Sequence, residues 1–328
     1  MESFVFALNA VLPIILMIVM GYILKKKGYM NLTFAKAANK LVFHFFLPTM
    51  LFLNVYNIDN VGGIDLGYVV YVTVALLIIF VLSIPVVRML TKKSERRGAL
   101  LQAGFRSNYA LIGIPLAKSL FGDEGVAVAT LLSIVVIPLL NALAVVSLSM
   151  FSDGGEKVSV KKILTGVVKN PLIQSVTLGL VVLGIRALFV NFGIEFRLSD
   201  ITPLFKVLTY LSNLATPLAL LVLGAQFEFS AVAELKREIL FGTLMRTVIV
   251  PVLGIGTAYV FFGDIFGGAH FASFVAVFAT PVSVSSVPMA QEMGADSTLA
   301  GQLVIWTTMC AALSVFITSF LLKAGGIF

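Results

Sequence analysis

The sequence predicts an all-α polytopic membrane protein: ten transmembrane helices forming two inverted five-helix repeats, with helices 4 and 9 broken. Three observations predict it. Of 328 residues, 59% are hydrophobic and 12% charged, and mean hydropathy is +1.05. Apolar runs of about 20 residues, long enough to cross a bilayer, recur along nearly the whole chain. Two of these runs, Asn108 to Gly122 and Thr280 to Ala290, are interrupted by proline and polar residues. Sliding the chain on itself by 173 positions (288 minus 115) places Pro115 on Pro288, Ala117 on Ala290, Asp123 on Asp296 and Ala127 on Ala300 without a gap. Asn108 then falls on Pro281. Paired interruptions in corresponding segments of two halves point to a transport site.

The spans are expected at 3–24, 35–56, 66–90, 98–120, 125–150, 170–190, 203–226, 238–262, 270–291 and 297–322. Met1-Glu2-Ser3 offers no basic n-region, so the first span reads as a retained helix and not a signal peptide. The second carries His44, Pro48 and Asn54. The fourth holds Arg106, Asn108, Gly113 and Pro115. A tight Gly122–Gly125 turn leads into the fifth, where Asn141 follows Pro138. The seventh carries Asn213 and Pro217, the ninth Pro281 to Pro288, and the tenth Trp306 and Cys310. Residues 1–152 form the first repeat and 170–328 the second. The link 153–169, opening Asp153-Gly154-Gly155-Glu156, reads as a cytoplasmic linker. Five spans is an odd number, so the repeats enter the membrane from opposite sides.

Lysine and arginine set the orientation. Lys25 to Lys27, Lys36 and Lys40, then Arg88, Lys92, Lys93, Arg96 and Arg97, then Lys157, Lys161, Lys162 and Lys169, then Lys236 and Arg237 all fall on one face, expected to be cytoplasmic. Asp59, Asp65 and Asp264 lie in loops of the other face. Both termini are then extracytoplasmic in a multi-pass cell-membrane protein. The ninth-to-tenth link is the exception, with Glu292 and Asp296 on the basic face.

The net charge of +7 is confined to short loops between apolar runs, which argues against nucleic acid. One cysteine excludes a disulfide within the chain. Two histidines without a Cys/His cluster give no metal signature, and no phosphate-binding loop is present. No cofactor is expected, and no acid–base pair or nucleophile constellation suggests an enzyme.

The polar residues inside the spans are the candidate site. Pro115 has no N–H, so the carbonyl of Leu111 loses its helical partner, and a freed backbone group in hydrocarbon must be satisfied by protein or cavity water. Ser283, Ser285 and Ser286 sit between two helix-breaking prolines, where hydroxyls can satisfy backbone or hold a ligand. Arg106 lies about 10 Å along its helix from Ala99. It can bind an anion, pair with an acid, or snorkel to the surface. His44 is either a proton carrier or a packed neutral ring. Asn54 and Asn213 read as helix-to-helix glue, and Lys118 and Asp123 as interface charges.

The stretch Asn108 to Lys118, with Gly113-Ile114-Pro115-Leu116-Ala117-Lys118, resembles the fourth-helix motif of the auxin efflux carrier family. That family includes plant PIN carriers and bacterial permeases. Ala279 to Pro281 and Val287-Pro288-Met289-Ala290-Gln291-Glu292 resemble its second signature. Ala110 stands where many bacterial relatives carry glycine, and the long cytoplasmic loop of plant carriers is absent. The resemblance implies a transporter domain of spans 3–5 and 8–10 and a dimerising scaffold of spans 1, 2, 6 and 7. It implies that helices 4 and 9 cross at their prolines. It also implies substrate contacts from Asn108 and Asn141.

The implied function is secondary transport of a small organic anion, auxin-like or dicarboxylate, by alternating access. The expected site is Asn108, Gly113, Ile114, Pro115, Asn141, Pro281, Ser283, Ser285, Ser286, Val287 and Pro288, with Arg106 or His44 in an anion or proton role and no metal. Half-helix N-termini carrying partial positive charge suit a carboxylate. Proton or sodium as coupling ion stays open. The alternatives are a sodium-coupled carrier of bile-acid-symporter type and, further off, a channel or receptor.

Overall fold

The computed structural model describes residues 2–58, 65–151, 160–193 and 196–328. Asp59, the Asp153–Glu156 stretch and Lys157 lie outside the described residues. The described chain is helical, apart from one isolated antiparallel bridge. Among the described residues, seven helices are long and apolar enough to cross a membrane: Leu32–Tyr56, Leu66–Leu90, Tyr109–Ser149, Pro171–Val190, Thr202–Gln226, Lys236–Phe262 and Ser297–Ala324.

The elements used below are α1 (Glu2–Lys26), α2 (Leu32–Tyr56), α3 (Leu66–Leu90), α4 (Ser94–Phe105), α5 (Tyr109–Ser149), α6 (Val160–Lys169), α7 (Pro171–Asn191), α8 (Thr202–Gln226), α9 (Lys236–Phe262), α10 (Gly268–Phe278), α11 (Ser286–Glu292) and α12 (Ser297–Ala324).

Local chemistry sets several ends. Asn31 and Asp65 cap α2 and α3 with their side-chain oxygens, Asn170 precedes Pro171 and caps α7, and Asp296 caps α12. Such caps satisfy N–H groups that a helix start leaves unpaired.

α5 is a hairpin and not one rod. Residues 20 apart in a straight helix stand about 30 Å apart, yet the Tyr109 hydroxyl donates to the Ala129 carbonyl at 2.6 Å. The reversal is at Phe121 and Gly122, where Gly122 has φ 60° and ψ −147°, a left-handed conformation that favours glycine. The turn expected at 122–125 is therefore present, one residue early, and the arms 109–121 and 123–149 run antiparallel.

α1 crosses α8 at close range. A Cβ on Gly21 would strike the Leu221 backbone, and one on Gly224 would strike the Ile18 backbone. α2 packs along α7 and α8. α3, α4, α5, α9, α10 and α12 make the other body of contacts, with α10 seated on α5. α1 also packs on α12, which joins the two groups.

The basic loops gather at one end. Arg96 reaches Glu234, Glu238 at 3.3 Å and Asp296 at 3.2 Å. The Asp296 N–H donates to the Glu95 carbonyl at 3.0 Å. The acidic ninth-to-tenth link is thus a counter-charge for Arg96, which explains its departure from the loop-charge trend. Lys118 and Asp123 form an exposed pair at 3.6 Å, worth little in water.

Candidate functional site

Two short extended segments cross in the middle of the helical body. The Asn108 N–H donates to the Pro281 carbonyl at 2.8 Å and the Ser283 N–H to the Arg106 carbonyl at 3.3 Å. Between them Ser107 and Val282 form the antiparallel bridge. The pairing satisfies backbone that both helix breaks free, and the segments are enclosed by protein, the setting in which irregular backbone is tolerated at membrane depth. The Val282 N–H finds the Thr307 hydroxyl at 3.1 Å.

The first break lies at Arg106–Asn108, upstream of the proline expected to make it. Arg106 (φ −86°, ψ 97°) ends α4, and helix resumes at Tyr109 with a π turn through Gly113. Pro115 falls in the first turn of regular helix after that π turn. The wider turn takes up the missing N–H, so the proline does not part the helix. In the second break Pro288 sits in the first turn of α11, but α11 is only 7 residues long. A two-turn helix sums few peptide dipoles, so the two half-helix N-termini are not equivalent.

Beside the crossing lies a cavity of about 150 Å³, room for roughly ten waters at ~15 Å³ each. Its polar wall holds Arg106, Ser107, Asn108, Asn141, Ser283 and Ser285; Leu47, Met50, Leu51, Ala215 and Ala219 of α2 and α8 face it, with Asn54 and Thr216. A larger cavity of about 570 Å³ between α3 and α9 is lined mostly by Val70, Val74, Ile78, Leu82 and Leu253. It has no convergent set of donors, and its apolar walls suit bilayer chains.

Arg106 dominates the polar wall. It is 2% exposed, so it does not snorkel. Its Nη1 donates to Gln102 Oε1 at 2.8 Å and to Met289 Sδ at 2.7 Å, and its Nη2 to Asn141 Oδ1 at 3.2 Å and Ser285 Oγ at 2.7 Å. Every one of these partners is neutral, and among the described residues Arg106 has no ion pair. Asn108 Nδ2 and Ser107 Oγ are buried without a partner among the described residues. The wall therefore offers one full positive charge and unused hydrogen-bonding groups. Ser283 and Ser285 hydroxyls lie 2.8 Å apart, and Asn141 is oriented by the bond from its Nδ2 to the Ile137 carbonyl at 2.9 Å.

The other expected residues stand outside the cavity wall. Gly113 packs on α10, where a Cβ would meet the Ala276 carbonyl at 2.8 Å. Pro281, Ser286, Val287 and Pro288, all buried, shape the second break, while Ile114 and Pro115 open the regular helix that follows the π turn after the first. His44 is exposed and holds the Lys40 carbonyl at 3.0 Å, away from the crossing. Asn213 is also exposed.

With this geometry in hand, a family model described as membrane transport protein matches residues 6–319. The chain belongs to the membrane transport protein family. The resemblance of its motifs to auxin efflux carriers stands with that match. An uncharacterized transporter of Methanothermobacter thermautotrophicus is 24% identical over 94% of this chain and 95% of its own. One of Methanocaldococcus jannaschii is 26% identical over 74% and 76%. The protein is thus a membrane transporter.

Two features of this transporter escaped sequence reasoning. Arg246 of α9 is 0% exposed. Its Nε donates to the Thr280 carbonyl at 2.6 Å and its Nη2 to the Val277 carbonyl at 2.7 Å. The signal was present, as a charge inside a long apolar run. The second is an amide cluster toward the basic end: Gln291 Oε1 of α11 accepts from Asn39 Nδ2 of α2 at 2.8 Å and from Gln226 Nε2 of α8 at 3.1 Å. It lies two turns of α2 and α8 beyond the cavity-lining Leu47 and Ala219. No local pattern announces it.

Proposed function

We propose that this transporter is a secondary carrier of a small organic anion, working by alternating access around the crossing. One observation carries the reading: Arg106, buried in the cavity wall, has only neutral partners. Isolating a guanidinium from water is costly, about 2.5–3.5 kcal/mol at the centre of a membrane helix on insertion scales. An anionic ligand offsets that cost, and its oxygens fit the unused donor of Asn108. Arginine is the most basic side chain and presents a planar fork of donors that matches a carboxylate.

The same reading takes the ten spans as two inverted repeats, with α1, α2, α7 and α8 as scaffold and the remaining spans as the moving body. The basic end is cytoplasmic, and the scaffold pairs two copies. The residue pairing at the crossing supports the repeat, because Asn108 and Pro281 coincide under the 173-residue shift and also bond to one another.

The charge of the cavity can be measured before a substrate is known. In a Cys310→Ala background, Ser283→Cys places a thiol on the wall. An anionic methanethiosulfonate should modify it at least tenfold faster than a cationic one, after correction for reactivity with free thiol, equivalent to about 1.4 kcal/mol. Arg106→Gln should abolish the preference. Equal rates in the parent would overturn the anion reading. Counterflow with labelled carboxylates in proteoliposomes then identifies the substrate.

A further inference from the structure

We infer that Arg246 is a built-in cation: its guanidinium fills the place at the second helix break where a broken-helix carrier would hold a coupling cation, so this break binds no sodium.

A helix that stops inside a membrane leaves its last carbonyls free and carries about half a negative charge at that end. In carriers with broken helices such C-terminal ends and unwound carbonyls coordinate sodium or a proton. α10 stops at Phe278 in the body of this protein, and three of its last four carbonyls have recorded partners. The Val275 carbonyl accepts from the Ala279 N–H at 2.9 Å. The Ala276 carbonyl accepts from the Thr280 hydroxyl at 2.7 Å. The Val277 and Thr280 carbonyls accept from Arg246. Two backbone oxygens from a helix end and the extended segment after it, converging on one buried positive group, are the ligand types that a sodium ion takes.

Arg246 has no ion pair among the described residues, and its Nη1 has no partner there. A residue kept to complete a hydrogen-bond network would not leave a donor unused at complete burial. One kept to supply charge to two carbonyls can. The arginine also comes from another helix. α9 carries a π turn from Met245 to Ile249, a feature frequent at functional sites, and Arg246 lies in its first positions. The Thr280 carbonyl that it holds directly precedes Pro281, whose own carbonyl receives Asn108. The tethered cation thereby fixes the segment that pairs with the first break.

This inference needs the chain to be a transporter but does not need the anion reading. Its test uses melting of the purified protein in nanodiscs, without substrate. The wild type should melt at the same temperature in sodium chloride and in choline chloride at equal ionic strength. Arg246→Ala should melt lower in choline and recover saturably with millimolar guanidinium, and in part with sodium. Arg246→Lys, which keeps a tethered cation, should lie between the two and stay insensitive to sodium. If Arg246→Ala can be purified only with guanidinium present, the inference gains the same support. A sodium-dependent rise in the wild type overturns it, because a cation site would then remain open. An Arg246→Ala protein that no cation restores overturns it as well, as does one that melts like the wild type in choline.

Discussion

The Asn108 N–H and the Pro281 carbonyl, 173 residues apart in sequence, meet at 2.8 Å. They are also the residues that coincide when the chain is laid on itself at the spacing of Pro115 and Pro288. In the inverted-repeat arrangement proposed above, a pair that both corresponds and touches lies on the axis relating the two halves. The cavity wall of Arg106, Asn108 and Asn141 is built beside that axis.

Asn141 sets the first prediction. Its Oδ1 lies 3.2 Å from Arg106 Nη2, so Asn141→Asp would supply the missing anion from within. The variant should fold, and the preference of Ser283→Cys for an anionic over a cationic thiol reagent should fall at least tenfold, about 1.4 kcal/mol. A preference retained at the parent level would show that Arg106 does not set the cavity's charge.

Asn108→Ala removes a buried donor that has no partner among the described residues. The fold should therefore tolerate it, while a bound carboxylate should lose about 1.5–3 kcal/mol, the range for a hydrogen bond to a charged group. Titration calorimetry with whichever carboxylate shows counterflow gives the number. Parent affinity in the folded variant would take Asn108 out of the site.

Gln291 joins α11 to both α2 and α8. Gln291→Ala deletes, with two longer contacts, the two hydrogen bonds that its Oε1 accepts from α2 and α8, at about 1 kcal/mol each, which corresponds to a shift of roughly thirtyfold toward an arrangement open at the basic end. Labelling of Ser285→Cys from that side should quicken accordingly. Unchanged labelling would mean that the amides merely pack.

Arg96 holds three acids at the basic end, so its loss leaves Glu238, 7% exposed, without its partner. Arg96→Ala should destabilise by about 3 kcal/mol, the lower end for a buried pair broken from one side. The Arg96 hydrogen bond holds the Glu234 carboxyl below its ordinary value of 4.5. A lowered value stabilises the fold above 4.5 and gives up that share as pH falls below it. The wild type should therefore lose stability on acidification below 4.5 more steeply than Arg96→Ala, as read by melting temperature against pH.

Orientation is checked by cysteines at Lys93 and Asp264, each in the Cys310→Ala background. An impermeant reagent added to intact cells should reach the second and not the first. Equal labelling would reject the topology.

Much of this was legible in the residues. Hydropathy located the long helices to within a few positions, since crossing a bilayer demands a run of apolar side chains whatever the tertiary contacts. Arg106, Asn108, Asn141 and Ser285 stood out as polar groups in apolar runs, and they do share one wall. The break itself was misplaced by several residues, because the proline was the visible breaker while the π turn that absorbs it leaves no mark in sequence. Arg246 was passed over though its signal matched that of Arg106. The Asn39–Gln291 contact spans 252 positions and depends on how two groups of helices dock, which no local pattern encodes.

The bridge between Ser107 and Val282 also bears on biogenesis. Translation must proceed a further 175 residues (282 minus 107) before Ser107 meets its partner, about 10–35 s at common elongation rates. Throughout that interval the nascent fourth segment carries a charged arginine and unpaired peptide groups with no crossing strand to receive them. An insertase or the translocon's own wet interior must shelter the segment until the ninth arrives. Truncations ending before residue 281 should consequently be among the least stable intermediates on the ribosome, and the first to be taken by membrane proteases.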